Sequence, residues 1–215
     1  PTSTYCTEIT SVIYCTGDLS DGVLLDDTAY NTYDSLLVYD LTQTITPASG
    51  IAGVKFIRDS GDIYLNVDSG SYGITTIDAE GIDARVLGDG DITITNTGDI
   101  DAGNEGIYAY VDGSGYIAIE SHGDITTSDW HGINVRLGGG GDDDGINILN
   151  FGDIDAYYHG IRARAYGDAD IKIVNAEGST ITSGSDFAGI YTRVGNDGDI
   201  WIGNEFHTIT SGTDG

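Results

Sequence analysis

The chain of 215 residues has no methionine, only two prolines, two cysteines and eight basic residues. Each shortage excludes something. So little proline beside 33 glycines rules out a collagen-like repeat and a proline-rich disordered tract. Eight cations against 35 acids leave a formal charge of −27, which repels nucleic acid and anionic membranes. No apolar run approaches the roughly 18 residues of a membrane span, and no signal peptide or lipidation motif is visible. A start at Pro1 without methionine reads as a processed product or an excerpt. Glutamate is scarce too: 29 of the 35 acids are Asp. Asp suits turns and Glu suits helices, so the acids read as turn chemistry, and they invite divalent cations.

The two cysteines, Cys6 and Cys15, sit in "TYCTEITSVIYCTG". The β-branched segment between them can fold as a hairpin that brings them within bonding range. A disulfide is the expected state, with two buried thiols the alternative. A disulfide implies an oxidising or extracytoplasmic compartment.

What the chain has in excess is Gly-Ile and Gly-Asp-Ile. Gly-Ile starts recur at Gly81, Gly106, Gly132, Gly160 and Gly189, with Gly215 next in phase, at steps of 25, 26, 28, 29 and 26 residues. Weaker copies start at Gly22 and Gly53. Each copy holds three short period-2 alternations broken by Gly, Asp or Asn, which predicts short strands joined by turns and no helix. The apolar columns read Ile82, Ile107, Ile133, Ile161, Ile190; then Ile92, Ile117, Ile146, Ile171, Ile200; then Ile94, Ile119, Ile148, Ile173, Ile202; then Ile100, Ile125, Ile154, Ile181, Ile209. A globular core has no reason to repeat one side chain in this way. A solenoid does, because successive rungs about 4.8 Å apart stack like side chains in register.

The expected fold is therefore all-β: a right-handed parallel β-helix with three short strands per coil and about 25–31 residues per rung. Gly opens the corners, Asp solvates or caps the turns, and Ile fills the core. A polar column past the second strand reads Asn96, Glu120, Asn150, Asn175, Asn204 and is expected to stack as a corner stabiliser. Residues 1–21 are expected to cap the amino end, with residues 22–52 as an irregular first coil of a β-helix over 22–215. The in-phase ending leads to the expectation that the natural protein continues.

The order of "TGDLSDGV", "LTQTITPASGIAGVKF" and tandem copies of the "GDITITNTGDIDAGNEGIYAY" type resembles the amino-terminal passenger region of bacterial autotransporters, the type V secreted proteins. The likeness covers essentially the whole chain. It implies export and folding as a rod on the outer-membrane surface or outside the cell. It also implies a carboxy-terminal barrel translocator and helical linker in the full-length protein, both absent from this chain.

Six of the eight cations fall on the outward positions of the first strand. Two after each Gly stand Lys55, Asp83, Tyr108, Asn134, Arg162 and Tyr191; four after stand Arg85, Tyr110, Arg136, Arg164 and Arg193. Like charges on neighbouring rungs repel unless neutralised. Either Asp-rich turns neutralise the stripe, or it is a contact face for a glycan or an acidic protein surface on host or bacterium. Asp99, Asp124 and Asp153 stack at the third-strand corner before Thr180 and Thr208. They are either solvated turn acids or ligands for Ca2+, which favours carboxylates with carbonyl oxygens. "GGGGDDDG", with Asp142, Asp143 and Asp144, offers one imperfect copy of a calcium-binding repeat or a loop bulging from its rung. Trp130, Tyr158 and Phe187 should form an aromatic stack, either structural or a platform for a sugar, and His131 and His159 beside them should stack too, two ligands making a poor metal site. No cofactor is called for beyond that optional Ca2+. No convergent acid–base set stands out, so a non-enzymatic rod is expected. Its role would be adhesion, aggregation or service as a stalk. A self-assembling filament or sheath subunit is the alternative, and a β-helical polysaccharide lyase is third.

Overall fold

The computed structural model of the chain describes residues 5–26, 28–141, 144–204 and 209–211. It is an all-β solenoid of about seven turns. Its strands form sheets of nine, seven and six strands, and spatial neighbours within a sheet come from successive turns. One turn runs through Ile82–Val86 in the seven-stranded sheet, Ile92–Asn96 in the nine-stranded sheet and Ile100–Ala102 in the six-stranded sheet. The chain then climbs to Ile107–Val111, which pairs in parallel with Ile82–Val86, Ile on Ile and Val on Val.

The Ile columns form the core. Across the rungs that begin at Gly81, Gly106, Gly132 and Gly160, all four inward isoleucines are 2% exposed or less. Alternation puts them there, since successive side chains of a strand point to opposite faces. Parallel register then sets each Ile on its counterpart one rung away, as in Ile117↔Ile146 and Ile125↔Ile154. Full burial of such a side chain contributes roughly 1.5–3 kcal/mol, an upper figure for a compact unfolded chain. At the last described rung, Ile200 and Ile202 keep their register with Ile171 and Ile173 but are 44% exposed.

The glycine of each Gly-Ile start serves close approach rather than an unusual backbone angle. A methyl group on Gly106 would collide with Cγ2 of Ile125 and lie 2.6 Å from the carbonyl oxygen of Gly132. Gly81, Gly132 and Gly160 are enclosed in the same way by Ile100, Ile154 and Ile181. The third-strand Ile of a rung therefore presses on the glycine that opens the first strand of that same rung. This contact couples each of these Gly-Ile starts to the third-strand Ile of its rung.

The polar column differs from expectation at one position. Asn96 pairs in register with Ser121, and the column reads Asn96, Ser121, Asn150, Asn175, Asn204. Inward positions recur every second residue, so the member after Ile119 is Ser121. Glu120 points outward and meets His122 at 2.6 Å. Within the column, Asn150 Nδ2 donates to Asn175 Oδ1 at 2.8 Å and to the Gly152 carbonyl at 2.6 Å. Asn96 Nδ2 likewise bonds the Gly98 carbonyl at 2.7 Å. Each amide thus ties a corner of its own turn as well as its neighbour. The shorter Ser121 interrupts the ladder, and Oδ1 of Asn150 has no hydrogen-bond partner among the described residues.

At the amino end, Cys6–Ile9 and Val12–Gly17 form the one antiparallel pair among the described strands, with Cys6 opposite Cys15. A disulfide joins them across a Cα–Cα distance of 4.1 Å. Val12–Gly17 then pairs in parallel with Ser35–Leu41, so the hairpin merges into the nine-stranded sheet. Cys15 is fully buried in the core. A 3-10 turn at Thr28–Thr32 is a helical element the repeat pattern did not anticipate. It lies where Gly and period-2 alternation both lapse. Asn31 anchors it, donating to Asp59 Oδ2 at 2.6 Å and accepting the Asp59 amide at 2.9 Å.

Candidate functional site

The seven-stranded sheet turns two outward columns to solvent. Lys55, Asp83, Tyr108, Asn134, Arg162 and Tyr191 are in register on successive rungs. Beside them run Ile57, Arg85, Tyr110, Arg136, Arg164 and Arg193. All nine residues anticipated as a contact face share this surface, and the face divides into two halves.

The amino-terminal half is neutralised. Lys55 lies 3.5 Å from Asp26. Arg85 bonds Asp83 at 2.6 Å and approaches Glu80 at 3.7 Å. Asp83 is 1% exposed, and burial pushes its carboxyl above the usual range against the pull of Arg85. The Arg85 guanidinium also lies over the Tyr108 ring, 4.8 Å from its centre.

The carboxy-terminal half is not neutralised. Among the described residues, Arg136, Arg162, Arg164 and Arg193 make no ion pair. Rings take the place of carboxylates. Arg136 sits between Tyr110 and Tyr166, at 5.3 and 5.4 Å, and Arg164 lies 5.6 Å from the Tyr191 ring centre. Burial, and then the neighbouring Arg164, hold the Arg162 guanidinium below its ordinary pKa. Among the described residues, the buried Nε of Arg164 has no hydrogen-bond partner. Tyr166 was missed in the sequence, although continuing the outward alternation from Arg162 and Arg164 by two residues reaches it.

The acidic column has a structural role. The Asp124 amide donates to Asp99 Oδ1 at 3.0 Å, the Asp153 amide to Asp124 Oδ1 at 2.8 Å, and the Thr180 amide to Asp153 Oδ1 at 2.7 Å. The Thr180 hydroxyl adds a bond to the same oxygen at 2.9 Å. Each carboxylate thus caps the following rung. The same geometry recurs at other corners, where Asp62 accepts from the Asp91 amide, Asp91 from Tyr116 and Asp170 from Asp199. Asp144 accepts the Gly141 amide at 2.7 Å, while Asp142 and Asp143, like Thr208, lie outside the described residues. Among the described residues, no group of three or more His, Cys, Asp or Glu is placed to hold a metal ion.

Trp130, Tyr158 and Phe187 do stack. Ring centres are 5.3 Å apart in the first pair and 4.1 Å in the second. His131 and His159 stack 5.2 Å apart at 9°, and His159 stacks on Tyr191 at 5.0 Å. Both imidazoles meet the main chain of the rung that follows, and Nδ1 of His159 also lies 3.2 Å from the Ala188 carbonyl oxygen. The His159 amide donates to Nδ1 of His131 at 3.2 Å, and the Ala188 amide to Nδ1 of His159 at 3.0 Å. An accepting Nδ1 requires the neutral ring with its proton on Nε2. Burial, reinforced by Arg162, His159 and Arg164, lowers the His131 pKa to about 3, and burial lowers that of His159 as well. A metal-ligand role for this pair conflicts with its use as a backbone acceptor.

No family model matches this chain, and neither the curated proteins nor the solved structures yield a match.

Proposed function

We propose that the chain is a non-enzymatic, extracellular β-helical rod of autotransporter-passenger type, whose cationic and aromatic half-face adheres to an acidic glycan. One observation carries this reading: Arg136, Arg164 and Arg193 stand on consecutive rungs without a carboxylate partner among the described residues, in a chain of charge −27. Stacked cations repel, and an external anion relieves that repulsion. Arg adds bidentate geometry for carboxylate or sulfate, and Tyr110, Tyr166 and Tyr191 supply flat apolar surface. The flat, repeating arrangement suits binding along a polymer rather than attack at one bond. The disulfide accords with an oxidising compartment.

The test is a triple replacement, Arg136→Gln, Arg164→Gln and Arg193→Gln, assayed against immobilised heparin, hyaluronate and polygalacturonate. Wild-type binding should weaken with added salt, and the variant should lose it. Unchanged binding would overturn the reading. A second reading, lateral self-assembly, is favoured by the Asp corners, which offer an acidic complement to the Arg half-face on another copy. It predicts fibres or sheets in electron micrographs of the wild type and isolated rods in the triple variant.

A further inference from the structure

A second feature lies beside the neutralised half of the face, at the corner where each Gly-Ile strand begins. Two residues before the glycine, successive rungs carry Ala79, Asn104, Trp130, Tyr158 and Phe187. Side-chain size jumps between Asn104 and Trp130, so the aromatic stack ends in a step. The upper face of the Trp130 indole is covered by Tyr158, whose ring lies within 17° of parallel. Its other face looks toward the rung of Asn104, where there is no ring to meet it, and Trp130 remains 46% exposed.

Below that bare face lies an open groove of about 370 Å3, lined by Trp130, Asn104, Glu105, Asn134, Arg162 and Glu80 among others. Its polar groups are already organised. Asn134 donates to Glu105 Oε1 at 3.0 Å and accepts from Arg162 Nη1 at 3.0 Å. Glu80 approaches Arg85, which also lines the groove. Two carboxylates and two guanidiniums line the groove, with Asp83 paired to Arg85 behind it. A polyanion gains little beside Glu80 and Glu105. An uncharged polyol finds acceptors and donors together, and charge-assisted hydrogen bonds are the strong ones. A flat apolar ring face adjoining clustered polar groups is the arrangement of a small-molecule subsite.

We propose that this groove binds a single neutral hexopyranose ring. The C–H face of the sugar lies under Trp130, and its hydroxyl groups bridge Glu105, Asn134 and Arg162. The site is separate in chemistry from the Arg136–Arg164–Arg193 half-face and does not depend on it.

The chain has only two tryptophans, so its indole N–H groups give two NMR signals. The 15N-labelled chain would be titrated with methyl β-galactopyranoside, methyl α-mannopyranoside and N-acetylglucosamine. With at least one of them the Trp130 signal should shift and saturate, with affinity on the order of millimolar for so small a ligand, while Trp201 stays in place. Arg162→Gln should weaken binding roughly tenfold or more, the effect of losing a hydrogen bond to a charged group. Asn104→Trp should extend the aromatic stack downward, fill the groove and abolish the response while every charged wall residue remains. If that variant misfolds, Trp130→Ala, followed by saturation transfer to the sugar protons, replaces it and should show no transfer. A Trp130 signal unmoved by all three sugars would overturn the proposal, as would a response that survives filling the groove or removing Trp130. The Arg136, Arg164 and Arg193 triple variant should keep the hexose response. A chain that binds hexose but no polyanion defeats the adhesion reading alone, and the reverse defeats this one alone.

Discussion

His131 should make the rod lose stability in mild acid. The ring is 4% exposed, and its Nδ1 accepts the His159 amide. Its folded pKa is lowered to about 3 from 6.5, by burial first and then by Arg162, His159 and Arg164. The unfolded chain therefore binds the proton more tightly. The stabilising contribution is complete above the unfolded value of 6.5 and is lost as pH falls from there toward 3. At pH 5 the loss has run through about 1.5 pKa units, worth about 2 kcal/mol at 1.36 kcal/mol per unit. His159, also lowered, acts in the same direction. Asp83 and Glu105, whose folded pKa values are raised, act in the opposite direction. A comparison with His131→Asn removes these shared terms, because Asn offers an oxygen as many bonds from Cα as Nδ1 is. Urea unfolding of both chains, followed by circular dichroism at pH 7 and pH 5, gives the result. The wild type should lose about 2 kcal/mol more than the variant between those values. Parallel pH profiles would refute the argument, whatever the variant's stability at neutral pH.

Two further perturbations probe the frame of the rod. Gly106→Ala forces a methyl group into Ile125 and toward the Gly132 carbonyl, and should cost about 1–3 kcal/mol as an overpacking change, read as a lower denaturation midpoint. Replacing Cys6 and Cys15 by Ser opens a link between residues nine apart. The chain-entropy estimate for so short a loop is roughly 2–3 kcal/mol. Hydrogen exchange should show that loss first in Val12–Gly17 and Ser35–Leu41.

Much of the rod was legible because a stacked core imposes a simple rule. An inward Ile meets its own counterpart one rung up and one rung down, so its column repeats. Outward residues meet solvent and vary, which made the cationic stripe visible by simple counting. Misreadings arose from one slip in the alternation and from side-chain reach, which position does not reveal. Glu120 was put in the amide column although alternation assigns Ser121. The neutralisation of Arg85 by Asp83 and Glu80, and the lack of any such partner at Arg136, depend on how far side chains extend around a corner. The hydrogen-bonding role of His131 depends on a backbone amide 28 residues later. The groove under Trp130 depends on a change of side-chain size between rungs, which columns compared by residue class do not reveal.

Five side-chain acceptors at the corners share one direction, opposite to that of main-chain bonds such as the Gly106 N–H to the His131 carbonyl. Asp99, Asp124, Asp153, His131 and His159 each accept a main-chain N–H from the rung that follows, and none of these bonds reaches back to the rung before. Each such turn offers side-chain acceptors to the turn that follows it. The amino end of the rod is closed by a disulfide-linked hairpin. Assembly then resembles a zipper with its stop at the amino end, and pulsed hydrogen exchange during refolding should find protection advancing from Cys15 toward Asn204. A chain built in this way can become ordered in the same direction in which a ribosome or an export channel releases it.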